Sequence, residues 1–135
     1  MSSSHRIVNP AGLMPAEGFA HAVVAAPGRT VYLGGQTGHD RDGRLVGESL
    51  VLQFDRAAAN VVEVLSAVGG APADLVAIQI LVADVAAYRA ASVEIGDAYR
   101  KHFGNHFPAM SLFEVARLYD SAAKVELVCV AVVAG

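Results

Sequence analysis

The last strand-like segment of the chain, "KVELVCVAVV" from Lys124 to Val133, is apolar on both of its faces. Side chains alternate along a strand, so Val125, Leu127, Cys129, Ala131 and Val133 point one way. Val128, Val130 and Val132 point the other way, together with Lys124 and Glu126. "LVAIQILVA", Leu75 to Ala83, repeats the pattern with only Gln79 interrupting it, and is too short and too β-branched for a helix. A sheet built on two such strands has to be covered on both sides.

The rest of the chain supplies cover for one side. From Ser49 the period changes: Leu50, Phe54, Ala57, Ala58, Val61, Val62 and Leu65 recur at three and four, which predicts an amphipathic helix closed by Gly69 and Gly70. Asp84 is placed to cap a second helix running to about Phe103, with Gly104 as its stop. "FAHAVVAAPGRTVYLGGQTG" holds two apolar runs around Pro27-Gly28, a turn dipeptide, and predicts a hairpin of Ala20–Ala26 with Thr30–Gln36. Two closing strands are expected near Ala109–Ala116 and Lys124–Val133, hairpin-like as at the other end of the chain. The order ββαβαββ fits one α+β domain over residues 1–135, its mixed sheet carrying both helices on one face.

The second face must then meet other copies of the chain, most simply in a closed homo-oligomer. Composition agrees, with 54% apolar and only 17% charged residues, against a usual charged share of about 25%. A net charge of -3 and no basic stripe with stacking aromatics argue against nucleic acid as a partner. The single cysteine, Cys129, excludes an internal disulfide and fits a reducing compartment. "MSSSHRIVNP" has no apolar signal core, and the longest apolar run, Leu127 to Ala134, is far below the roughly 18 residues of a membrane span. A soluble cytoplasmic protein is expected.

Few residues offer chemistry. "DRDG" resembles the opening of a calcium loop, but Val51 stands where a glutamate is required. His102 and His106 have ligand spacing, yet Gly104 lies between them where the helix should end, and no further ligand pattern supports a metal. "GGQTG" lacks the lysine of a phosphate loop, and Cys129, among valines, reads as core. Glu126 is open to two readings. It is a strand-end carboxylate solvated or paired with Lys124, or a carboxylate at a subunit seam, partly desolvated and suited to moving a proton or holding a water.

Four segments in order, "VYLGGQTG", "QFDRAAANVVEVLSAVGG", "FPAMSLFEVARL" and "KVELVCVAV", span nearly the whole chain and resemble the Rid family (YjgF/RidA-like, also filed as L-PSP endoribonuclease). The resemblance implies a chorismate-mutase-like fold assembled as a homotrimer, its sheets forming a central barrel with ligand clefts between subunits. It implies hydrolysis of reactive enamines and imines with release of ammonia, without metal or organic cofactor. The family's final-strand glutamate falls on Glu126, beside the attacking water. The family's arginine between alanine and serine, which clamps a substrate carboxylate, falls on Met110, which has no donor to offer. Phe19 and Gly34 stand where the family commonly has tyrosine and serine.

A binding set of Met110, Phe19, Gly34, Gly35, Gln36, Ala109 and Leu112 follows from the resemblance, with His21 or Arg117 as substitute anchors for an anionic group. The expected ligand is less charged and more apolar than the usual 2-imino acid. A non-catalytic trimer holding a small metabolite or a protein partner in the same clefts is the alternative, and ribonuclease activity a remote one.

Overall fold

The computed structural model of the chain describes residues 4–135. Its centre is β7, Val125–Val133, flanked by β5, Leu75–Val82, and β3, Arg29–Tyr32. The strand order is β3-β7-β5-β6, with β6 spanning Ala109–Glu114 and the two-residue β4, Gln36–Thr37, also lying against β7. β7 runs antiparallel to β3, β4 and β5, whereas β5 and β6 run parallel, so the sheet is mixed. A separate ribbon pairs β1, Arg6–Val8, with β2, Ala22–Val24.

Three α-helices among the described residues, α1 Leu50–Ala67, α2 Val85–Ala90 and α3 Ser92–Phe103, and a short 3-10 turn, Pro72–Asp74, complete the fold. The helix signals work locally as expected. The Ser49 hydroxyl accepts from the Leu52 N–H at 3.3 Å, and the Asp84 carboxylate from the Ala87 N–H at 3.1 Å. Gly69 and Gly104 take φ of 78° and 68° at the two helix ends, a backbone region that favours glycine. No helix among the described residues is long and apolar enough to cross a membrane.

One face of the sheet forms the core. Val125, Leu127, Cys129 and Ala131 of β7, with Ile78, Ile80 and Val82 of β5, pack in one buried cluster with Phe54, Val61 and Leu65 of α1 and Ile95, Tyr99 and Phe103 of α3. On the opposite face the register aligns Val130 with Ala77, Val128 with Gln79 and Glu126 with Leu81. No helix among the described residues covers that second face. Tyr32 stands 80% exposed there and Phe113 48%.

Three expectations are corrected. The segments on either side of Pro27-Gly28 do not pair with each other: β2 pairs with β1, and β3 with β7. Gly28 packs so closely on the end of β7 that a Cβ there would lie 2.5 Å from the Val133 carbonyl oxygen. The turn therefore delivers β3 to β7 rather than back to β2. The two closing strands are likewise separated, with β5 between β6 and β7. The second helix is broken at Ala91 (φ −99°, ψ 15°), which ends α2 and begins α3 without any glycine or proline at the break.

Gln53 is the one fully buried polar side chain among the described residues, and it is fully used. Its amide donates to the Gly47 carbonyl at 2.9 Å and the Ala122 carbonyl at 3.2 Å, and its oxygen accepts from the Lys124 N–H at 2.7 Å. It ties two loops to the start of β7. Gln53→Leu keeps the volume but strands three backbone groups, and is expected to cost about 2–4 kcal/mol. Chemical denaturation measures it; a loss under about 1 kcal/mol would mean that water replaces the amide.

Candidate functional site

β6 is a sheet edge, and its alternation decides what reaches the two faces. Met110 and Leu112 lie opposite Ile78 and Ile80, so they share the helix-covered face. There a cavity of about 520 Å³ opens between β6 and α3. Its walls are Phe19, Ile80, Tyr88, Ile95, Tyr99, Phe107, Met110 and Leu112, with Glu17, Ser92, Arg100 and Ser111 supplying the polar groups. Phe19 is brought in because Ala20 bridges to Ala109, its N–H donating to the Pro108 carbonyl at 2.9 Å. The Tyr99 ring stacks on Phe107 at 5.1 Å between centroids, and its hydroxyl donates to the His106 carbonyl at 2.6 Å. Burial pushes the Tyr88 and Tyr99 phenols upward, so both stay neutral.

Neither substitute anchor reaches this cavity. The His21 imidazole is bound to the Met14 carbonyl at 2.8 Å and meets the Phe19 ring edge-on at 5.2 Å. Arg117 is exposed on the loop after β6. The guanidinium that does border the cavity is Arg100, lying over Gly96 and paired with Asp97 at 3.0 Å. Sequence reasoning passed over it. The signal was present as Ser92, Gly96 and Arg100 at a spacing of four beside Ile95 and Tyr99, small and polar groups on the flank of an apolar stripe.

Glu126 sits elsewhere. It points to the uncovered face of β7, half-buried, with Val128 and Val130 on the same side. A Cβ on Gly35 would collide with the Glu126 carboxylate, so glycine at that position is what allows the close approach. Gly34 and Gln36 flank this contact, the Gln36 amide donating to the Gly34 carbonyl at 3.3 Å. No ion pair joins Glu126 to Lys124 or to any other described residue. The paired-glutamate reading is thereby corrected.

The expected site residues thus fall into two groups. Phe19, Ala109, Met110 and Leu112 gather at the β6 edge, and Gly34, Gly35, Gln36 and Glu126 at the β4–β7 side, with β5 between them. Met110 and Glu126 face opposite sides of the sheet. A single copy of the chain does not bring the two groups together.

The other candidates are accounted for by structure. Burial pushes the Cys129 thiol up to about 12, which leaves it an inert core group. His102 and His106 diverge: the first bonds Asp55 at 2.8 Å, the second the Leu75 carbonyl at 2.8 Å.

Residues 10–133 match the family model described as Endoribonuclease L-PSP. A 2-iminobutanoate/2-iminopropanoate deaminase from Capra hircus is 31% identical over 133 residues, 98% of this chain and 93% of the relative. The crystal structure of YyfB from Yersinia pestis, a protein of unknown function in the conserved Rid family, superposes with a TM-score of 0.84 at 32% identity, covering 96% of this chain and 98% of that one. Yeast Mmf1 superposes with a TM-score of 0.67 at 26% identity, over 98% and 97% of the two chains.

Proposed function

The chain belongs to the Endoribonuclease L-PSP family, the Rid (YjgF/RidA-like) proteins, and from that premise we propose that it hydrolyses reactive imines or enamines to carbonyl compounds and ammonia. The observation that carries this reading is Glu126, a half-buried carboxylate with no cation partner among the described residues, held against Gly35 on an apolar sheet face. Water adds to the carbon of the protonated C=N bond as Glu126 takes its proton, giving a neutral carbinolamine. Glu126 returns that proton to the nitrogen and takes the hydroxyl proton as the C–N bond breaks, and ammonia departs. The names of the curated relatives, imine deaminases at about a third identity, support the reaction class.

The active form proposed is a homotrimer whose sheets close into a central barrel. The uncovered face of β7 and β5 supports this, since Val128, Val130 and Leu81 need cover that the helices do not give. Each cleft then takes its cavity from the β6 edge of one copy and its Glu126 from the next. Light scattering at micromolar concentration is expected to give the mass of three chains; a monomer contradicts the assembly.

The substrate proposed has an apolar body and no small carboxylate needing a bidentate clamp, because Met110 lines the cavity where an arginine would supply one. Efficiency on 2-iminopropanoate is expected to fall at least about tenfold below arginine-bearing relatives, and Met110→Arg to recover part of it. Equal turnover by the unaltered chain would show that Met110 is no obstacle. The same apolar cavity suits a non-catalytic trimer that only binds a metabolite, and Glu126 decides between the two.

A further inference from the structure

Beside β4 a hydroxyl, an imidazole and a carboxylate stand in line. Thr37 Oγ1 lies 2.5 Å from His39 Nδ1, and His39 Nε2 lies 2.9 Å from Asp120 Oδ2. The Ala122 N–H donates to the other Asp120 oxygen at 2.9 Å, and this bond together with that from His39 holds the Asp120 carboxyl below its ordinary range. An ionised carboxylate only accepts, so Nε2 carries the proton and Nδ1 of the neutral ring is an acceptor. The Thr37 hydroxyl then donates to Nδ1. The Asn60 amide fixes both backbones, donating to the Thr37 carbonyl at 3.2 Å and the His39 carbonyl at 2.9 Å.

The register places this line beside Glu126. Thr37 is its direct partner across the antiparallel β4–β7 pair, and residues so opposed share a face with Cβ atoms about 4.5–5.5 Å apart. Gly35, against which the Glu126 carboxylate lies, immediately precedes β4, two residues before Thr37. We infer that Thr37, His39 and Asp120 form a proton relay serving Glu126, an inference that rests on the imine-hydrolysis reading.

The relay balances. After Glu126 takes the proton of the attacking water, the Thr37 hydroxyl accepts a proton from it through one bridging water, since no hydrogen bond joins the two side chains directly. Thr37 passes its own proton to His39 Nδ1, leaving an imidazolium against Asp120. Glu126 is then free to take the hydroxyl proton of the carbinolamine. From a protonated imine the carbinolamine nitrogen already carries two protons, so the borrowed proton, returning through Thr37, makes it ammonia as the C–N bond breaks, and Glu126 then gives the hydroxyl proton to solvent. His39 can borrow only while neutral. Besides Thr37 and Asp120, the charged groups around it are Asp40 and Arg41 on its own loop and Arg56 and Glu63 from α1.

Thr37→Val keeps the branched strand-forming shape and removes only the hydroxyl. It is expected to lower kcat at least about tenfold with KM unchanged, and to abolish the fall of kcat that accompanies protonation of His39. His39→Gln is expected to do the same. A readout independent of turnover is the ring nitrogen NMR signal of His39, which should show the Nε2–H tautomer and change in Glu126→Gln. An unchanged kcat and pH profile in Thr37→Val overturns the relay. So does a His39 ring signal indifferent to Glu126. A protein that turns over no imine yet keeps the coupling between His39 and Glu126 would refute the hydrolase reading and support the relay.

Discussion

Glu126→Gln is expected to abolish turnover of every imine or enamine the protein accepts while leaving the assembled protein intact. The amide has the shape of the carboxylate, so the close contact with Gly35 survives and no charge is added or stranded on the apolar face. It loses the ability to take a proton from water. A positioned proton acceptor commonly contributes about 10²–10⁴ in rate, so the loss should appear in kcat rather than KM. Steady-state ammonia release measures it, and light scattering checks the assembly. Turnover within about threefold of the unaltered chain would reduce Glu126 to a structural residue and leave the binding reading in place.

The second large effect is expected from Val130→Asp. Val130 lies on the uncovered face in register with Ala77 of β5 and Tyr32 of β3, at the middle of the surface proposed to close the barrel. A carboxylate buried there without a partner costs several kcal/mol in each copy, and the symmetric assembly imposes it about three times over. The helix-side core, Leu127, Cys129 and Ala131 on the other face of the same strand, is untouched. The variant should therefore keep its circular dichroism and sediment as a monomer. An unchanged mass at the same concentration would show that this face is not where copies meet.

Much of the fold was legible because alternation and helical spacing are local. The two-sided apolar character of β7 and β5 marked them as central strands, and the stripe from Leu50 to Leu65 marked α1. Pairing was less legible. The Pro27-Gly28 turn looked like a hairpin because the true partners, β1 and β7, are short or remote, and a three-residue strand such as Arg6–Val8 carries no periodic signal. The break at Ala91 lacks the residues that usually announce one.

The site divides in the same way. Glu126 stood out as an acid among valines, whereas Met110 and Phe19 acquired meaning only through the family pattern. That Met110 and Glu126 lie on opposite faces depends on β5 lying between their strands, which neither segment records. His39 and Asp120 are 81 residues apart, and no local motif joins them. Arg100 was readable from helical spacing, four residues beyond Gly96 on the flank of the stripe that carries Ile95 and Tyr99.

The central claim is that the working site is shared between copies, the cavity from one and Glu126 from another. Mixing two inactive variants tests it most directly. Glu126→Gln keeps the cavity, and Leu112→Trp fills the cavity while keeping Glu126. Refolded or co-expressed together in equal amounts, random trimers are expected to recover about a quarter of the unaltered activity, since half the copies offer each intact half and both must meet at one cleft. Mixed trimers, verified by mass, that remain as inactive as the separate variants would contradict a shared site.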